Sequence, residues 1–331
     1  MAALARAISD NSSEYKTEVD AGVRSICRTG SLALDDALGI GGWPEKRISM
    51  FGGKWSSGKT TIALLSIADF QRRQLHLNED ERRVAVFVDA EQAHDLDYAK
   101  FLGVDNDKLV VATPPNEDGV ISMNSVLDCM WNLINSGKVG FLVWDSVASC
   151  ATNTELASQT GAANIAQKAR LLSSSLPSIV GSLAKNDCAA LFLNQIRKDP
   201  SCMFGDPEYF PGGEALYHAC SIIIKGGPSA RNESSCMVKG KVLKNKCFAK
   251  PMAKFSFKVE VGIGIDNETQ LIEEAVQYGI ITKKGSHYYN KSGEKLAQGK
   301  DGFKKWLKSE DGRLEGFASA VGKERQSSKE V

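Results

Sequence analysis

The chain has 331 residues, of which 42% are hydrophobic and 24% charged; 41 basic and 40 acidic side chains leave a formal net charge of +1. At roughly 150 residues per domain this makes about two domains, one large core and a satellite, which excludes a small stapled scaffold and a mostly disordered chain. A near-neutral field also excludes a uniformly cationic DNA packer, so any affinity for nucleic acid must come from local placement of Lys and Arg.

From Arg47 onward, short apolar runs alternate with helical patterns, the signature of repeated βαβ units around a mainly parallel sheet, and the fold class is α/β. The predicted strands are RISMFG (47–52), VAVFVDA (84–90), KLVVAT (108–113), VGFLVWD (139–145) and AALFLN (189–194), with helices near 59–73, 95–102, 117–136 and 165–185. After Gly212–Gly213 the rhythm changes. SIIIKG, VKGKVLKNK and KFSFKVEV follow one another with turn-like spacers and read as antiparallel strands extending the same sheet. The turn-rich run 262–268 closes that region, and a helix over 271–279 opens a small unit of helix, hairpin and helices. From Ile281 to the end, 12 basic residues face 7 acidic ones, a difference of +5. The division is an N-terminal segment 1–28, a core 29–265, a small basic C-terminal domain 266–325 and a polar, disordered tail 326–331.

The cysteines at 27, 129, 150, 188, 202, 220, 236 and 247 form no Cys-x-x-Cys pair and no Cys/His cluster at metal-ligand spacing, so they read as buried free thiols rather than disulfides. No window approaches the ~18 apolar residues of a membrane span, and the first residues lack a hydrophobic stretch followed by a cleavage site. A reducing cytosol or nucleoid, with no membrane partner, is the expected setting.

Gly53-Lys54-Trp55-Ser56-Ser57-Gly58-Lys59-Thr60 fits G-x-x-x-x-G-K-[ST] directly after a predicted strand and opens a predicted helix, the context that a phosphate-binding P-loop requires. Its backbone N–H groups and the helix N-terminus would cradle phosphates, Lys59 would reach the β- and γ-phosphates, and the Thr60 hydroxyl would bind Mg²⁺. Asp145 ends the apolar strand 139–145, where parallel sheets gather ligand groups, and is expected to hold Mg²⁺ through water. Asp89 and Glu91 follow another strand end. Either could polarise a water for attack on the γ-phosphate, or both could merely cap the next helix. Asn194-Gln195 closes a strand and leads into the long irregular segment IRKDPSCMFGDPEYFPGG (196–213); an amide at its root could sense a γ-phosphate, or could be a buried, satisfied amide.

These residues carry a resemblance. SSGKTT (56–61), DAEQAHDLDYAKFLGV (89–104), WDSVAS (144–149), LNQIR (193–197), MFGDPE (203–208), PGGEAL (211–216), KVLKNK (241–246) and GEKLAQGK (293–300), in this order, resemble bacterial-type RecA recombinases in a divergent form of the kind a bacteriophage encodes. The similarity runs from about Thr29 to about Leu307. It implies a RecA-type ATPase core and ATP with Mg²⁺ on Gly53, Ser56, Ser57, Gly58, Lys59, Thr60, Thr61 and Asp145. It implies Glu91 as catalytic carboxylate, Gln195 as nucleotide sensor, and Asp95 and Tyr98 at the adenine. The first DNA-binding loop falls at 157–165, with Ile165 as a wedge between bases and Arg170 on a phosphate. The second falls at 196–213, with Arg197, Pro200, Met203, Phe204, Gly212 and Gly213. Lys244 and Lys246 would reach a γ-phosphate bound by a neighbouring subunit, and Lys283, Lys284 and Lys300 would contact duplex DNA. The implied partners are single-stranded DNA, a homologous duplex, further copies in a helical filament, and single-strand-binding and loader proteins.

Departures from the family pattern are specific. Lys54 and Trp55 stand where the family has Pro and an acid, Pro200 where an intercalating apolar residue is usual, and His218 where a Phe lies at a subunit interface. The segment before Thr29 is shorter and dissimilar; it is the candidate subunit-docking element, though the resemblance does not assign the hook's residues, and the family's acidic C-terminal tail has no match. The leading reading is an ATP-dependent DNA recombinase. A hexameric helicase would call for an arginine finger where this chain has Lys244 and Lys246; a regulatory ATP-binding relative would lack Glu91 or the two loops; a small-molecule kinase would need a lid and an acceptor pocket.

Overall fold

Unbroken apolar runs make strands that are buried on both faces, and four such runs build the centre of the molecule. The computed structural model describes residues 23–114, 116–117, 120–153, 155, 165–198, 207–248, 252–260, 262–310, 313, 316–317, 320–321 and 323–324. In chain order the first elements are β1 (Ser25–Cys27), α1 (Leu32–Leu38), β2 (Trp43–Pro44), β3 (Ile48–Gly53), α2 (Lys59–Gln74), β4 (Val84–Asp89), α3 (Leu96–Phe101) and β5 (Leu109–Ala112). Then come β6 (Asn116–Glu117), β7 (Val120–Ile121), α4 (Met123–Asn135), β8 (Val139–Asp145), α5 (Ile165–Lys185), β9 (Ala189–Gln195), β10 (Arg197–Lys198), β11 (Glu208–Tyr209) and α6 (Gly213–Ala219). The chain continues through β12 (Cys220–Arg231), β13 (Ser235–Asn245), β14 (Lys254–Glu260), β15 (Gly264–Ile265), α7 (Asn267–Gln277), β16 (Thr282–Lys284), β17 (His287–Tyr289), β18 (Lys295–Gln298) and α8 (Gly299–Lys308).

A nine-stranded sheet runs in the order β15-β14-β13-β12-β3-β9-β8-β4-β5. Its members from β12 to β5 pair in parallel, and β13, β14 and β15 extend it antiparallel, as the sequence pattern leads one to expect. Register sets the site: Gly53 is level with Gln195, and Asp89 with Asp145, so four carboxyl ends form one crest. Side chains alternate between two cores. Phe51, Phe87 and Phe141 point toward α1 and α2, whereas Met50, Val86 and Trp144 point toward α4 and α5.

Two boundaries differ from the sequence expectation. The helix placed at 117–136 starts at Met123, because Asn116–Glu117 and Val120–Ile121 pair as a small antiparallel ladder and the Ser122 hydroxyl accepts from Asn124 N–H to start the helix there. The helix placed at 271–279 starts at Asn267, where the Asp266 carboxylate accepts from Thr269 N–H at 3.0 Å.

The C-terminal unit packs α7, β16, β17, β18 and α8 around Leu271, Ile272, Tyr288, Phe303 and Leu307. Its expected basic character needs correction. Residues 266–280 contribute four acids (266, 268, 273, 274) and no base, so the excess of +5 counted from Ile281 falls to +1 from Asp266. Three of the lysines are spent on these acids: Lys300 on Glu273 at 2.5 Å, Lys304 on Asp266 at 2.7 Å and Lys308 on Glu268 at 2.7 Å. Among the described residues, no helix is long and apolar enough to cross a membrane.

Candidate functional site

The P-loop leaves the centre of the sheet at Gly53, where a Cβ would lie 2.3 Å from Ser57 Oγ and 2.7 Å from Gly226 O. Two left-handed residues, Ser56 (φ 56°) and Gly58 (φ 72°), then curl the backbone into α2. The Lys59 ammonium donates to Gly53 O at 3.2 Å, Lys54 O at 3.0 Å and Ser57 Oγ at 3.3 Å, which folds it over the loop where a phosphate would lie. Burial holds its pKa below the ordinary lysine value, against the opposing charges of Asp145 and Glu91.

Thr60 Oγ1 donates to Asp145 Oδ2 at 3.0 Å. Burial, reinforced by the charge of Glu91, raises the Asp145 carboxyl to about 7. A hydroxyl beside a buried carboxylate is a hard-oxygen pair suited to Mg²⁺, and a divalent cation would restore that carboxylate's charge. Among the described residues no group of three or more His, Cys, Asp or Glu could hold a metal.

Geometry separates the two acids that the sequence leaves level. Both Asp89 oxygens accept backbone N–H groups, from Ala93 at 3.2 Å and His94 at 2.9 Å, so this side chain builds the turn after β4. Glu91 instead faces the crest, where its Oε1 accepts from Ser146 Oγ at 2.5 Å and from Gln195 Nε2 at 3.2 Å. On the other flank Asp95 caps α3 by accepting from Tyr98 N–H at 2.9 Å, and the Tyr98 hydroxyl lies 2.8 Å from Thr61 Oγ1. Tyr98 therefore borders the first turn of α2, and Asp95 fixes the start of the helix that carries it.

The two loop regions meet at their bases. Ile165 is the first residue of α5 and Arg170 is exposed on it, while residues 157–164 lie outside the described residues. Arg197 is exposed on β10 opposite Tyr209 of β11; Pro200, Met203 and Phe204 lie outside the described residues. Gly212 (φ 115°) and Gly213 (φ 71°) turn the chain into α6 against α5, with ideal Cβ positions 3.2 Å from Leu172 Cδ1 and 3.0 Å from Ala169 Cβ respectively. The Asn194 amide is buried, not at the phosphate site: it donates to Pro211 O at 2.8 Å and ties the start of the second loop to its end.

Lys244 and Lys246 lie at the end of β13. The Lys244 ammonium donates to the carbonyls of Tyr217 and His218 at the C-terminus of α6, and burial followed by the charge of Lys246 lowers its pKa. In the C-terminal unit, Lys283 and Lys284 are exposed on β16, with ammonium groups 5.9 and 5.7 Å from the ring centroids of Tyr288 and Tyr289. Lys300 differs, since Glu273 binds its ammonium.

One feature escapes sequence reading. Lys225, Lys241 and Lys254 are cross-strand neighbours on β12, β13 and β14, and with Lys239 and Lys54 they line a groove of about 370 Å³. Like charges side by side on a sheet are destabilising, and Glu208, which lines the same groove, offsets part of this by holding Lys54 and Lys225 at 2.8 Å each. The signal is there in the alternation of Lys239 and Lys241, but only the register brings the other strands' lysines beside them.

A family model for the RecA N-terminal domain matches residues 11–266, and one for the RecA C-terminal domain matches residues 269–323. The chain is 38% identical over 291 residues to Protein RecA of Acidothermus cellulolyticus, covering 86% of this chain and 79% of that protein. It is 40% identical over 288 residues to Protein RecA of Aquifex aeolicus, covering 84% and 78%. With Protein RecA of Francisella tularensis subsp. novicida the identity is 37% over 301 residues, covering 89% and 79%.

Proposed function

The chain belongs to the RecA family of ATP-dependent DNA recombinases, and we propose that the crest of the sheet is its Mg²⁺-dependent ATP hydrolysis site, wired to two DNA loops. The backbone of 53–58 and the Lys59 ammonium hold the β- and γ-phosphates, and Asp95 and Tyr98 border the base. Thr60 and Asp145 would hold Mg²⁺, which neutralises phosphate charge when bound. Glu91 orients the attacking water and accepts its proton. The γ-phosphate competes for the Gln195 amide that Glu91 engages at 3.2 Å, so nucleotide occupancy moves the root of the second loop. That shared carboxylate is the observation on which the reading rests: one side chain belongs to the chemistry and to the DNA loop together.

Single-stranded DNA lies against the loops, with Ile165 opening the base stack and Arg170 and Arg197 on phosphates. Pro200, Met203, Phe204, Gly212 and Gly213 belong to the second loop. The lysine row of β12, β13 and β14 takes the backbone of a second strand, while Lys283 and Lys284 touch the incoming duplex; base pairing supplies sequence specificity. Lys244 and Lys246 complete the hydrolytic site of a neighbouring copy, so hydrolysis requires the filament. Mixing Lys244→Ala with Glu91→Gln protein tests the reading. Each alone is nearly inactive, and mixtures regain ATPase through interfaces that pair an intact Glu91 with an intact Lys244; no rescue at any ratio overturns the assignment across subunits.

A further inference from the structure

The second loop touches the nucleotide site at its root through Gln195, and the structure brings its far end to the same place by a different route. Glu208 lies on β11, the strand that closes the loop by pairing with β10, where it faces Lys198. Its carboxylate is largely buried and bridges two cations: Oε1 is 2.8 Å from the Lys54 ammonium and Oε2 is 2.8 Å from the Lys225 ammonium. Those two lysines, Lys225 first, hold the carboxyl below the usual glutamate value. Lys54 is a P-loop residue, and its own carbonyl accepts from the Lys59 ammonium at 3.0 Å. The connection is therefore short: phosphate-binding lysine to Lys54 backbone, Lys54 side chain to Glu208, and Glu208 to Lys225 in the lysine row.

We infer that Lys54 is a positioning residue that latches the P-loop rim to the closing strand of the second DNA loop, so that DNA held by the loop and the lysine row alters nucleotide affinity through the Lys54–Glu208 ion pair. Two states differ in their contacts. A phosphate in the groove competes with Glu208 for Lys225 and shifts the carboxylate toward Lys54, drawing the rim toward β11. A phosphate in the P-loop takes Lys59 off the Lys54 carbonyl and frees the rim to follow. By reciprocity, whatever DNA does to nucleotide affinity the nucleotide does to DNA affinity.

The inference rests on the nucleotide and DNA sites proposed above, and one measurement separates its failure from theirs. The affinity of the full chain for a fluorescent, non-hydrolysable ATP analogue is measured with and without oligo(dT), and the ratio is the coupling. Lys54→Gln should lower the ratio by about two- to fivefold, the range of a partly exposed ion pair, and Lys54→Arg should keep it. Glu208→Gln should lower it as well, and the Lys54→Gln/Glu208→Gln double variant should lose no more than Glu208→Gln alone. A wild-type ratio of one overturns the reading of the sites themselves. A coupled wild type whose ratio survives Lys54→Gln, or a double variant whose losses multiply, overturns the latch alone.

Discussion

Replacing Asp145 with Asn should change how stability responds to pH, and the size of the change follows from the burial of that carboxyl. In the nucleotide-free protein its pKa is raised to about 7, against about 3.9 in an unfolded chain. Between these values the folded state keeps a proton that the unfolded state has released, so stability falls as pH rises through the window and levels off above about 7. From about pH 5.5 to about pH 8.5 the loss owed to this one group is about 2 kcal/mol, at about 1.4 kcal/mol per pH unit up to the folded pKa. Asparagine still offers Thr60 an oxygen to bond but carries no charge. Asp35, also raised to about 7 by burial, adds the same slope to both proteins and cancels. Urea unfolding without nucleotide at the two pH values should therefore show Asp145→Asn gaining about 2 kcal/mol on the wild type as pH rises. A difference between the two proteins that does not change with pH would mean that the carboxylate is already ionised in the folded state, and would refute the reasoning.

Gly213→Ala places a side chain at φ 71°, with its Cβ 3.0 Å from Ala169 Cβ; it should cost about 1–2 kcal/mol and reduce DNA-stimulated ATPase while nucleotide binding persists, as titration with and without oligonucleotide would reveal. Substituting Lys283 and Lys284 together by Ala should lower the salt slope of duplex binding by about 2, whereas Lys300→Ala should leave the slope unchanged because Glu273 holds its ammonium; equal slopes in the two variants would count against this division of the cations.

What the sequence discloses is whatever a single strand or loop carries within itself. The P-loop, the apolar strands and the switch to antiparallel pairing after Gly213 are each local patterns of spacing and polarity. The choice between Asp89 and Glu91 does not show in composition: it depends on which carboxylate the turn at Ala93 and His94 consumes and which one reaches Ser146 and Gln195 across the sheet. The start of α4 was hidden by Val120 and Ile121, which suit a helical apolar stripe as well as the short ladder they form. Charge was the least legible feature. Counting lysines from Ile281 misses acids on α7 that lie earlier in the chain and end up against α8, while the lysine row of β12, β13 and β14 is dispersed in sequence and concentrated by register.

The place of Lys244 has a consequence for timing. Its ammonium is engaged by the carbonyls of Tyr217 and His218 at the end of α6, a helix whose other end is the Gly213 hinge of the second DNA loop. One ammonium cannot stay on those carbonyls and also extend to a phosphate in an adjacent copy. If Lys244 serves a neighbour as proposed, it must uncap its own helix, and the exposed carbonyls would then favour whatever movement of α6 finds them other donors. Under the cross-subunit assignment proposed above, capping its own helix and reaching the neighbour's phosphate would be exclusive claims on one cation, so hydrolysis in one copy would go with release of α6 in the copy that supplies Lys244.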